Sequence, residues 1–144
     1  MSKEHQEGYA GKHPESAVLE ENVAAALKKE IKDGRISCTA AHDIAQSIKL
    51  SPADIGMALD LMEVRLIHCQ LGLFGYAPEK RIVKKADQWD DALEGAIRQA
   101  LQDDRLSCAD AWSIARQQGI SRKAVADVCE ALGIKVRPCQ LGAF

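Results

Sequence analysis

The chain has 144 residues with a formal charge of −2, 47% of them hydrophobic and 28% charged. That balance excludes a wholly disordered chain, and it supplies no global basic footprint for nucleic acid, so any basic surface must be local. Aromatics make up only 4%, which leaves Ala, Ile, Leu and Val to build the core and favours closely packed helices over a large sheet.

Residues 1–16 are polar, carry His5 and His13, and lack an apolar h-region. They are expected to form a disordered tail rather than a secretory signal. No run approaches the roughly 18 apolar residues that a membrane span needs. The expectation is a cytoplasmic protein with no membrane partner, whose five cysteines stay reduced.

The first helix is predicted from Leu19, Val23, Leu27 and Ile31, which recur every four residues and form one apolar stripe. Asp33-Gly34 ends it, Gly being suited to the left-handed position past the last turn. A short extended piece, Arg35-Ile36-Ser37, precedes a second helix from Thr39 to about Ile48, with Ala41, Ile44, Ala45 and Ile48 inward. Ser51-Pro52-Ala53-Asp54 reads as the start of a third helix: Ser caps, Pro fits the first helical position, and Asp sits at the favoured acidic end. That helix runs to about Glu63, burying Ile55, Leu59 and Met62. Arg65 to Leu71 then reads as a strand ended by Gly72.

A basic linker over residues 76–88 follows, with Pro78 and the run Lys80-Arg81-Ile82-Val83-Lys84-Lys85. Beyond it the first half repeats without a gap. Ser37-Cys38 recurs as Ser107-Cys108, and Cys69-Gln70-Leu71-Gly72 as Cys139-Gln140-Leu141-Gly142, both 70 positions on (37 to 107 and 69 to 139). At the same offset Ala41 matches Ala111, Ala45 matches Ala115, Ser51 matches Ser121, and Phe74 matches Phe144. Such a fixed register marks a tandem duplication, and two copies are too few for a solenoid. The expected organisation is a first unit over residues 17–75, the linker, and a second unit over residues 89–144. In the second copy Pro138 interrupts the last strand, which implies an edge position.

The stretch from Ala115 through Gly119, Ile120 and Ser121 to Val125 and Val128 resembles the helix-turn-helix family. In that family a small residue lets two helices cross, a glycine takes the turn, and apolar residues lock the second helix onto the first. Ala45, Leu50, Ile55 and Ala58 carry the likeness in the first copy, which departs from it at Lys49, where Gly is expected. With an extended piece before the second helix and a strand after the third, the resemblance is to the winged variant. It implies a mainly α fold with small β wings: a tandem duplication of a winged helix-turn-helix-like three-helix unit.

The resemblance also implies where DNA contact should fall. The N-terminal residues of the second helix of such a motif reach base edges and phosphates. In the second copy the outward positions are expected to be Ser121, Arg122, Lys123, Ala126, Asp127 and Glu130. In the first they are Ser51, Pro52, Ala53, Gly56, Met57 and Asp60, with no positive charge. Lys80, Arg81, Lys84 and Lys85 are a second candidate, suited to a phosphate backbone or, more blandly, to a solvated linker.

The cysteines Cys38, Cys69, Cys108 and Cys139 match between copies, and Cys129 stands alone. No Cys-x-x-Cys pair gives zinc or redox spacing, so they are expected to act as small buried hydrophobes, with no metal or cofactor. If the extended piece pairs with the strand after the third helix, Cys38 should neighbour Cys69, and Cys108 should neighbour Cys139. The repeated Cys-Gln-Leu-Gly-x-Phe segment is either a binding edge or a strand and turn that closes the core. His42 and His68 hold the positions that Trp112 and Pro138 hold in the other copy, an odd place for catalysis, and no phosphate loop or nucleophile elbow is present. The leading expectation is a small cytoplasmic, non-enzymatic DNA-binding protein of transcription-regulator type that contacts duplex DNA through the second unit. The alternative is a protein-interaction module that docks a protein partner or a second copy, and the third is a thiol-based redox or metal sensor.

Overall fold

A computed structural model describes residues 20–143. The expected tail over residues 1–16, Leu19 of the first apolar stripe, and Phe144 lie outside the described residues. The described chain is mainly helical with a few short strands, and it divides into two compact units between Ile67 and His68.

In the first unit, α1 (Glu21–Lys28) buries Val23 and Leu27. It ends before Ile31, although Glu30 N and Ile31 N both still donate to Leu27 O, at 2.9 and 3.1 Å. Asp33 and Gly34 then take φ values of 54° and 73° in a tight turn. β1 (Arg35–Ser37) leads directly into α2 (Cys38–Ser47), whose first turn is capped by Ser37 Oγ accepting from Ala40 N at 3.1 Å. After the turn, α3 (Pro52–Leu61) starts as expected: Pro52 occupies the first turn and Ser51 Oγ accepts from Asp54 N at 3.1 Å. The following strand, β2 (Arg65–Ile67), is shorter than the expected run to Leu71.

In the second unit, α4 (Asp91–Ala100) is capped by Asp90 and buries Leu93 and Ile97. β3 (Arg105–Leu106), α5 (Cys108–Gln118), α6 (Arg122–Leu132) and β4 (Lys135–Val136) follow in the same order as in the first unit. Ser107 and Ser121 cap α5 and α6 as Ser37 and Ser51 cap their counterparts. The helix ends recur too. Leu50 N donates to Ala45 O at 2.9 Å and Ile120 N to Ala115 O at 3.0 Å; Val64 N donates to Leu59 O and Ile134 N to Cys129 O, both at 2.9 Å. Each of these closures needs a left-handed residue. Gly119 and Gly133 supply it in the second unit, at φ 69° and 73°. Lys49 and Glu63 are forced into it in the first, at φ 60° and 57°. The departure at Lys49 therefore leaves the shape of the turn unchanged.

The extended piece and the strand after the third helix do pair in each unit, and they pair in parallel, Arg35 with Arg65 and Arg105 with Lys135. Parallel strands need a crossover of a dozen or more residues. The two-helix crossover α2–α3, and likewise α5–α6, returns the chain to the end from which it left.

Ile36, Ala41, Ala45, Ile55 and Leu59 are buried in the first unit, all at 3% exposure or less. In the second, Ile97, Leu106, Ala111, Val125 and Cys129 are packed in one cluster with Cys69, Leu71 and Val83. Residues 68–88, which the sequence assigns to the end of the first copy and to a linker, thus belong to the second unit. The reason is apolar burial: three of their side chains are core.

Candidate interaction surface of the second unit

The helix that resembles a DNA-reading helix is α6, and its side chains are arranged by the segment that runs over it. Ala126, expected to face outward, is 2% exposed. Asp127 organises the contact. Its Oδ1 accepts from Lys84 N at 2.9 Å, its Oδ2 from Lys123 Nζ at 2.9 Å, and its main-chain oxygen from Ala86 N at 3.1 Å. One turn on, Arg81 pairs with Glu130 at 2.9 Å. Gly72 packs between Ile82 and Lys123. A Cβ built on it would lie 3.0 Å from Ile82 Cγ1 and 3.4 Å from Lys123 Cγ, and its φ of +78° also favours glycine. The Gly72 carbonyl accepts from Ile82 N and Val83 N at 2.8 and 3.1 Å. The loop leading in is tied by Tyr76, whose hydroxyl donates to Cys69 O at 2.6 Å.

The seven sequence-derived DNA residues thus fall into two groups. Ser121, Arg122, Lys123 and Arg81 have partners within the chain, although the Arg81 and Lys123 side chains remain 49% and 36% exposed. Ser121 is the cap of α6, Lys123 and Arg81 are in ion pairs, and Arg122 lies over Trp112 at 3.6 Å from the ring centroid and donates to Gln70 Oε1 at 3.4 Å. Lys80, Lys84 and Lys85 present exposed ammonium groups with no ion pair among the described residues. In the first unit Gly56 is buried and Met57 half-buried, so α3 does not turn all its expected outward positions to solvent either.

A groove of about 630 Å³ opens beside β4. Its apolar lining is Leu73, Phe74, Ala126, Ile134 and Val136, and its charged lining is Arg81, Glu130, Lys135 and Arg137. Lys135 and Arg137 are not singled out by the sequence, and Asp127 is expected there as an outward position of the helix, not as the anchor of the segment packed against it.

The five cysteines form no disulfide; four are buried and Cys139 is half-buried. Cys69 lies in the second unit's core with Cys108, and Gln140 Nε2 approaches Cys108 Sγ at 3.5 Å. Burial pushes the Cys108 thiol up to about 11, with smaller upward contributions from the Cys139 and Cys69 thiols. Burial alone pushes Cys129 to about 11, and burial also raises Cys69. Thiols so placed are protonated at neutral pH and poor nucleophiles. Among the described residues no three His, Cys, Asp or Glu side chains are grouped to hold a metal ion. No described helix is long and apolar enough to cross a membrane. Comparison with protein-family models, curated proteins and solved structures finds no match to this chain.

Proposed function

We propose that the protein is a non-catalytic protein-interaction module. It is built from two helix-turn-helix-like units, each a variant of the winged form in which a parallel strand pair stands in place of the wing. One observation carries the functional reading: Gln70, Gly72, Arg81, Lys84 and Ala86, from the segment over residues 70–86, contact Arg122, Lys123, Asp127 and Glu130, on the face of α6 that a DNA-reading helix would offer to the major groove. To dock there, a duplex would have to displace that segment and uncouple Lys123 from Asp127 and Arg81 from Glu130. The apolar groove beside β4, which the same segment helps to line through Leu73, Phe74 and Arg81, is open among the described residues, and an open apolar surface rimmed by charge is a usual mark of a docking site. Titration of fluorescent random duplex DNA with the full chain at low salt tests this. No binding is expected, and saturable binding that weakens steeply with added salt overturns the reading.

A second reading, a cytoplasmic DNA-binding protein of transcription-regulator type, is favoured by the exposed Lys80, Lys84 and Lys85. Three phosphate contacts would give a log–log salt slope near −3, about 0.9 per contact. In that case Glu at these three lysines abolishes binding, whereas charge reversal at Arg122 and Lys123 does so if α6 itself reads the duplex.

A further inference from the structure

Leu106 pairs with Val136 in the β3–β4 ladder, and Arg137 N donates to Leu106 O at 2.8 Å. In a parallel pair the residue that makes the ladder bonds reaches the two neighbours of its partner, not the partner itself. Leu106 therefore bonds on either side of Val136, and the Val136 N–H and C=O turn to the opposite edge of β4. That edge borders the groove, which Lys135, Val136 and Arg137 all line. Val136 is itself a core residue at 9% exposure, but β3 is the one strand paired with β4 among the described residues, and a strand edge left without a partner strand is a template for another extended chain.

We propose that the β4 edge takes an extended acidic peptide as a third strand. The Val136 backbone would pair with the peptide main chain, alternate apolar side chains of the peptide would enter the groove over Phe74 and Ile134, and its carboxylates would meet Lys135 and Arg137. Three observations select this occupant. The groove supplies a backbone donor and acceptor side by side, which suits a peptide main chain. Its apolar lining lies next to that edge, where every second residue of an added strand points. Its charged lining is three cations against one carboxylate, and that carboxylate, Glu130, is already held by Arg81, while Lys135 and Arg137 are exposed and in no ion pair among the described residues. In a chain of net charge −2, this local positive rim selects for an acidic partner by complementarity. Pro138 directly follows Arg137 and has no N–H, so the usable edge is short and recognition is confined to a few residues.

The inference rests on the protein-interaction reading, and the experiment keeps the two apart. The probe is a fluorescein-labelled octapeptide of alternating Glu and Val, titrated into the full chain and followed by anisotropy. Alongside it run a Lys-for-Glu version and a version with alternate backbone amides N-methylated. Saturable binding of the acidic peptide is expected. A loss of about tenfold or more is expected for the N-methylated peptide, for the Lys version, and for the Lys135→Glu/Arg137→Glu variant. Both substituted side chains are exposed, so circular dichroism of that variant should match the parent. In ¹⁵N–¹H spectra the largest shift should fall at the Val136 amide, with slowed hydrogen exchange there. If the acidic peptide fails to bind, or binds equally when N-methylated, the β4 edge is not a strand-docking site. The interaction reading itself falls only if the chain binds duplex DNA in the separate titration.

Discussion

The Arg122 guanidinium carbon lies 3.6 Å from the centroid of the Trp112 ring, so a cation at the start of α6 is stacked on an aromatic side chain from α5. The first copy has Pro52 and His42 at these positions, and the stack belongs to the second unit alone. A double-mutant cycle with Arg122→Ala and Trp112→Leu, read from urea unfolding, should give a coupling of about 1 kcal/mol. Arg122→Lys should keep the charge and lose part of that energy, because an ammonium lacks the planar group that stacks. A coupling near zero would reduce the contact to coincidence.

Lys49 and Glu63 hold left-handed turns that glycine holds in the second unit. A side chain in that conformation costs about 1 kcal/mol or more. Lys49→Gly should therefore raise stability by a few tenths to about 1 kcal/mol, the gain being offset in part by the greater freedom of glycine in the unfolded chain. Gly119→Ala should lower stability by about 1 kcal/mol, and through strain alone, since an added Cβ there meets nothing within 4 Å. Chemical denaturation of the two single variants decides both signs.

Asp127 joins α6 to the segment over it through Lys84 N and Lys123 Nζ. Asp127→Ala removes both partners and should cost about 1–3 kcal/mol. It should also loosen residues 81–86, so that trypsin cleaves after Lys84 or Lys85 faster than in the parent chain. Unchanged cleavage would mean that Val83 and Leu71 hold the segment without help from the carboxylate.

Cys108 and Cys129 ionise near 11 in the folded protein, against an ordinary value of 9.0. Between those two values the unfolded chain has released protons that the folded chain keeps, so stability falls as pH rises through that window and is unaffected by these thiols below it. The loss approaches on the order of 2 kcal/mol per thiol toward pH 11. Cys108→Ala and Cys129→Ala should each flatten the alkaline limb of the stability curve while lowering stability at pH 7. In the folded protein at pH 7.5 the half-buried Cys139 should alkylate first.

The amino-acid sequence by itself determined the local structure. Apolar periodicity set the three helices of each unit, Ser51-Pro52 set the start of α3 and Gly119 set the turn, because these signals act over a few neighbouring positions; the repeat is legible because its 70-residue register is ungapped. Three further features were decided by the tertiary structure: the parallel sense of β1–β2 and β3–β4, the inclusion of residues 68–88 in the second unit, and the covering of α6. Strand sense depends on the path of two intervening helices and not on the strands' own residues. In the basic run the lysines and arginine mask Ile82 and Val83, so the segment reads as a solvated linker until α6 supplies an apolar surface for Val83 and a carboxylate for Lys84 N. The sequence places Ala126 outward and Val83 in a linker; only packing over long sequence separation buries both, and the same packing lays part of residues 70–86 against α6.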